Sequence, residues 1–368
     1  MITVGAGGVG KTTTAAALAV AAAQRGRQVL CLTIDPAKRL AQSLGLERMT
    51  TEAARIDPAR FASVAPLTGS LTIMMLDTKR TFDDLVHKYS STPEKAEKLL
   101  ANKLYQYVST SLAGTQEYMA MEKLVAVQAD PSYDLIVLDT PPTANALDFL
   151  DAPGRLAEAI DSAAMRWFVQ AFESTGKLSL NLLARSASVV LRGLGKITGG
   201  GFLEAMAEFI TELNDLFGGF KQRAGIVEAA LRSPEVSFVL VTSPAPMSIR
   251  EVLFFSERLE EAGMPRGAFV VNRFRVPPAG PRAPPSLADT AAAIVRNGLK
   301  LEDDAPPRLV HAHSDAVKLA SLDALHVEAL DAPARGRVPI VRVAELASDV
   351  HDLRNLGEVG ETLMSGGV

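Results

Sequence analysis

Short runs of aliphatic residues recur along the chain: Ile2–Val4, Val29–Ile34, Leu71–Leu76, Leu135–Leu138, Val236–Val241, Phe269–Val271 and Val338–Val343. They are apolar at consecutive positions instead of alternating with polar ones, the pattern of strands covered on both faces. Stretches with helical spacing separate them. One of these, Thr12–Arg25, ends at Gly26, a residue suited to the left-handed turn that closes a helix. Strand and helix in alternation predict an α/β fold: a doubly wound, mostly parallel sheet with helices on both faces. Pro339 falls inside the last run and has no N–H to donate, so that strand is expected at an edge or to begin there.

Two segments break the rhythm. From about Leu156 to Phe220 no strand is legible, and residues 156–220 read as a helical insert. Within it Phe202, Met206, Phe209, Ile210, Leu213, Phe217 and Phe220 recur mainly three and four apart, which makes one apolar stripe. The stripe can receive an apolar partner or pack against the rest of the chain. The segment Val276–Ser286 carries Pro277, Pro278, Pro281, Pro284 and Pro285 and is expected to be an exposed loop.

Length alone, 368 residues, allows two or three domains, but a single set of strand-end motifs argues for one elaborated domain over 1–368. A net charge of −4 does not indicate a strongly basic surface, though it leaves room for a small local basic patch, and no nucleic-acid partner is expected. Cys31 is the one cysteine, which excludes an internal disulfide and a Cys-x-x-Cys metal site, and its sparing use fits a reducing cytoplasm. No signal peptide is expected at the start. The run Ala15–Ala23 is too short to span a bilayer, so no integral membrane segment is expected either.

Chemistry concentrates at the ends of the strands. Gly5-Ala6-Gly7-Gly8-Val9-Gly10-Lys11-Thr12 is a complete G-x-x-x-x-G-K-T between a strand and an alanine-rich helix. In that context glycines let main-chain N–H groups turn toward phosphate oxygens, and the helix start adds positive potential. Lys11 is placed to reach the terminal phosphates, and the Thr12 hydroxyl to ligate Mg²⁺. The pattern implies a Mg²⁺-dependent nucleoside triphosphatase. Asp139, directly after Leu135–Leu138, is placed to hold Mg²⁺ through water, though a strand-end Asp also caps turns. Asp35 ends the second strand and can orient the proton of an attacking water; Asp-Pro equally opens turns. Asn272 ends a further strand with an amide able to pair with a base edge, and Asn is also an ordinary turn residue.

Taken together, GAGGVGKTT, LTIDPAKRL, DLIVLDTPPTANALDFL and VVNRF resemble, in order and spacing, the arsenite-pump-related ATPases, which include the carriers of tail-anchored membrane proteins. The resemblance runs from Ile2 to about Val343. It implies a P-loop ATPase working on ATP with Mg²⁺, as a nucleotide-gated homodimer carrying a hydrophobic protein client. It also implies roles by residue: Gly7, Gly8, Val9, Gly10, Lys11, Thr12 and Thr13 around the phosphates, Asp35 on the hydrolytic water, Asp139 in the second nucleotide-sensing switch and Asn272 on adenine. The helices after that switch would form the client groove.

Four positions depart from the resembled pattern. Ala6 stands where a lysine usually crosses the dimer to the partner's phosphates, and Lys38 replaces a switch histidine. Thr143-Ala144-Asn145 replaces Thr-Gly-His, and no Cys pair is available for an interfacial zinc. A nucleotide-dependent scaffold with little turnover is therefore an alternative, as is a surface-positioning ATPase of the partition type. The latter requires a membrane-binding C-terminal helix or a basic face.

Overall fold

The computed structural model describes residues 1–34, 39–44, 51–61, 65–103, 115–140, 222–347 and 352–367, with single positions between them. Its strands are β1 (Ile2–Val4), β2 (Gln28–Thr33), β3 (Ala54–Arg55), β4 (Ser70–Met75), β5 (Leu135–Asp139), β6 (Phe238–Thr242), β7 (Arg266–Phe274) and β8 (Ile340–Ala344). They form one eight-stranded sheet in the order β3-β4-β2-β5-β1-β6-β7-β8. Each pairing is parallel except β3 with β4. The expected doubly wound sheet is thus observed, and the reversal of strand order around β1 opens a crevice at its carboxyl end. Pairing with β5 on one side and β6 on the other holds β1 inside the sheet despite its three residues. As Pro339 led one to expect, β8 starts just after it and lies at an edge. Unforeseen was β3, whose two residues are too few to show a pattern.

The described helices are α1 (Lys11–Gln24), α2 (Thr78–Tyr89), α3 (Pro93–Ala101), α4 (Thr115–Gln128), α5 (Pro246–Glu261), α6 (Leu287–Arg296), α7 (Ala305–Val327) and α8 (Leu353–Ser365), beside shorter turns. Consecutive apolar residues divide between the two faces of the sheet, as the strand patterning requires. Val29 and Cys31 pack under α1 and α8, while Leu30 and Leu32 pack on the other side with Leu124 of α4 and Ile249 and Phe255 of α5.

Small residues bring α1 and α8 close. Ala16, Ala17, Ala19 and Val20 are fully or almost fully buried, and a Cβ on Gly360 would lie 3.1 Å from the Ala17 carbonyl oxygen. The side chain of Asp352 starts α8 by accepting from the Asn355 N–H. After it, Gly367 lies against the backbone of Arg342 on edge strand β8.

A third cluster joins Phe82, Leu85 and Val86 of α2 to Leu99, Tyr105 and Tyr118. Beneath it the buried Glu122 of α4 accepts a close ion pair from Arg223. Of the insert's apolar stripe, Phe209 is described, and it packs half-buried against this cluster. The rest of the stripe lies outside the described residues. The proline-rich segment from Val276 to Ser286 is a largely exposed loop, as expected.

Candidate functional site

Residues 5–10 form the turn between β1 and α1, and backbone conformation explains its glycines. Gly5, Gly8 and Gly10 have φ of +150°, +77° and +97°. L side chains rarely adopt these values. Space is short as well: a Cβ at Gly5 would sit 2.0 Å from the Val241 carbonyl oxygen, and one at Gly10 2.1 Å from Asn272 Nδ2. The loop is therefore wedged between the carboxyl ends of β6 and β7.

At its end α1 begins with Gly10, which offers no side-chain cap, and its first turn has no acidic residue. The first N–H groups of a helix have no partner within it, and the dipole makes that end positive. Elsewhere in this molecule Asp77, Thr92, Ser286 and Asp352 cap helix starts with side-chain oxygens. The starts of α5 and α7 also lack a side-chain cap, but both carry Pro in the first turn; α1 instead opens from the glycine loop. The Lys11 ammonium adds charge beside it. Lys11 is only 6% exposed, and its Nζ donates to the carbonyl oxygens of Gly5 and Ala6, both at 2.8 Å, so its stem lies back along the loop.

Loop and helix start open onto a cavity of about 690 Å³. Gly8, Gly10, Lys11, Thr12 and Thr13 line one end; Thr140 and Ser43 border it too. Gly7 is exposed in the loop, and Val9 is buried beneath it. Asn272, against Gly10, and Arg273 from β7 line the cavity's other side with Ala344, Glu345, Leu346, Asp349, Val350 and Val359 from β8, its following loop and α8. The loop side is thus cationic and rich in N–H donors, and the other mixes apolar side chains with Asn272, Arg273, Glu345 and Asp349, a combination that suits a nucleotide.

Asp139 closes β5 in register with Thr3 of β1 and Thr33 of β2. It is fully buried, and its Oδ2 accepts from the Thr33 hydroxyl at 3.1 Å. The neighbouring Thr140 hydroxyl donates to the Thr3 carbonyl at 2.7 Å, which fixes the strand end beside the loop. Thr12 lines the cavity and Asp139 lies buried just before Thr140, which also lines it; both are hard oxygen donors of the kind Mg²⁺ takes. No group of three or more His, Cys, Asp or Glu is assembled among the described residues.

Cys31 lies inside β2, 1% exposed, and burial, then the Asp139 charge, hold its thiol far above the ordinary value. That is the environment of an inert, structural thiol. Asn272 faces the loop: its Nδ2 donates to the Val9 carbonyl at 2.9 Å. Asp35, Lys38 and Thr143-Ala144-Asn145 lie outside the described residues. Ala6 packs half-buried against the cluster under α1.

Sequence reasoning missed the wall made by Arg273, Glu345, Leu346, Asp349 and Val350. Their signal was position, since they follow the ends of β7 and β8, where an open α/β sheet collects its ligand-binding residues.

A family model described as anion-transporting ATPase matches residues 1–282. ATPase GET3 of Malassezia globosa is 26% identical over 278 residues, which cover 75% of this chain and 72% of that protein. ATPase GET3 of Chaetomium globosum is 26% identical over 279 residues, covering 75% and 73%. The protein of that name from Aspergillus terreus reaches 31% over a shorter stretch of 157 residues, 42% of this chain and 43% of its own.

Proposed function

This chain belongs to the anion-transporting ATPase family, and we propose that it binds ATP with Mg²⁺ on the Gly5–Thr12 loop and hydrolyses it to ADP and phosphate. The observation that carries the reading is the glycine-built turn into α1, with Lys11 laid against it, opening onto a nucleotide-sized cavity.

In this reading the N–H groups of Gly7, Gly8, Val9, Gly10, Lys11, Thr12 and Thr13 surround the phosphate oxygens. Lys11 then exchanges its two carbonyl partners for the terminal phosphates. Thr12 and Asp139 would hold Mg²⁺, which would supply neutralisation of charge on the terminal phosphates. Asp35 follows β2 directly after Ile34; it orients the attacking water and takes its proton while the bond from the γ-phosphorus to the bridging oxygen breaks. Asn272 holds the loop from the nucleoside side.

Family resemblance supports the finer parts of the proposal. The chain acts as one domain over 1–368, works in the cytoplasm as a nucleotide-gated homodimer, and carries a hydrophobic client on the insert 156–220. No described helix is long and apolar enough to cross a membrane. A membrane-positioning role has less support, because the apolar face of α8, Leu356, Val359 and Leu363, is already buried against α1 and the sheet.

One observation favours a second reading. Ala6 leaves the loop without a side chain that could cross to a partner's phosphates, and loss of such a cation costs on the order of a thousandfold in rate. The chain would then be a nucleotide-dependent scaffold. Phosphate release by purified protein, with and without Mg²⁺, tests hydrolysis directly; none in either condition removes the enzyme reading. Ala6→Lys separates the two: under the scaffold account turnover rises at least about tenfold, and an unchanged rate refutes the missing-cation explanation.

A further inference from the structure

We infer that Arg273 is a specificity-determining residue of the site, its guanidinium laid over the face of the nucleotide base; this rests on the ATP-binding reading above. The order β1-β6-β7-β8 puts Arg273 on the β7–β8 side of the cavity, where Ala344, Leu346, Val350 and Val359 line it together with the carboxylates Glu345 and Asp349. A base is the part of a nucleotide that an apolar wall accepts. Its neighbour Asn272 spends its amide nitrogen on the Val9 carbonyl, so the next group outward along β7 is Arg273.

The backbone there is unusual. Arg273 has φ of +57°, inside a register shift between Val271 and Phe274 where β7 pairs with β8. A long side chain rarely keeps that conformation unless its surroundings impose it, and such residues gather at ligand clamps. The irregularity breaks the strand's alternation and turns Arg273 to the cavity.

Charge pairing distinguishes Arg273 from the arginine two residues on. Arg275 pairs with Asp323 at 3.3 Å and lies 4.0 Å from Glu345. Arg273 is exposed at the cavity rim, and no described carboxylate pairs with it. A planar, weakly hydrated guanidinium in that setting favours the face of an aromatic ring.

Calorimetric titration of MgATP and of inorganic tripolyphosphate into the wild type, Arg273→Gly and Arg273→Lys tests this. Glycine removes the side chain and tolerates the positive φ, so the variant keeps its fold. MgATP affinity should fall about tenfold in Arg273→Gly, tripolyphosphate affinity should stay put, and lysine should not rescue. Unchanged MgATP affinity, an equal loss for both ligands, or full rescue by lysine would each overturn the assignment. If the wild type binds neither ligand, the nucleotide reading itself fails and takes this inference with it. A wild type that binds MgATP while Arg273→Gly matches it sinks the inference alone.

Discussion

Gly10 and Asn272 are coupled through a single close approach, and a double-mutant cycle measures it. In Gly10→Ala the new Cβ would meet Asn272 Nδ2 at 2.1 Å, with the backbone at φ +97°. The left-handed conformation costs an alanine about 1.5 kcal/mol. Displacing the Asn272 amide also breaks its bond to the Val9 carbonyl, for about 1.5 kcal/mol more. The single variant should therefore lose about 3 kcal/mol and Asn272→Ala about 1.5 kcal/mol. In the double variant the clash has nothing left to displace, so the loss should be about 3 kcal/mol instead of the additive sum of about 4.5 kcal/mol. Urea unfolding of all four proteins reads the stabilities, and MgATP titration shows whether the loop still binds. Additivity to within about 0.5 kcal/mol would mean that Asn272 does not brace the loop.

Two further perturbations probe the frame around the site. Gly360→Leu should push α8 off α1, where a Cβ already comes within 3.2 Å of the Ala21 Cβ, and destabilise the chain by about 2 kcal/mol. Since Val359 lines the cavity, MgATP affinity should fall as well; a variant with wild-type melting and binding would show that this packing is not tight. Cys31 should resist iodoacetamide at about pH 8 in the native protein, because a buried thiol beside the Asp139 charge stays protonated, and react quickly once denatured. Equal rates in the two states would contradict the burial.

The phosphate loop and the sheet were legible in sequence for physical reasons. A turn that needs φ > 0 at Gly8 and Gly10 and close backbone approach at Gly5 admits few residues, so its chemistry is written contiguously. Strands buried on both faces leave dense apolar runs, and these located each parallel strand. Val236–Val241 was displaced, its strand being Phe238–Thr242, because Val236 is buried in the turn before it. The β8 wall of the cavity was not legible, since Leu346 and Val350 join Gly10 in its lining only through the placing of β8 beside β7. Nor was the direction of Asn272, whose amide is turned to Val9 beside a strand irregularity that no periodicity announces. The insert's apolar stripe was visible, and Phe209 shows one of its residues packing on α2–α4.

Titration of MgATP into the wild type and Lys11→Ala by calorimetry tests the central claim most directly. One saturable site per chain in the wild type, and at least about a tenfold weaker one without the ammonium, is the outcome the structure predicts. Absence of binding heat in the wild type, or identical isotherms for the two proteins, would contradict it.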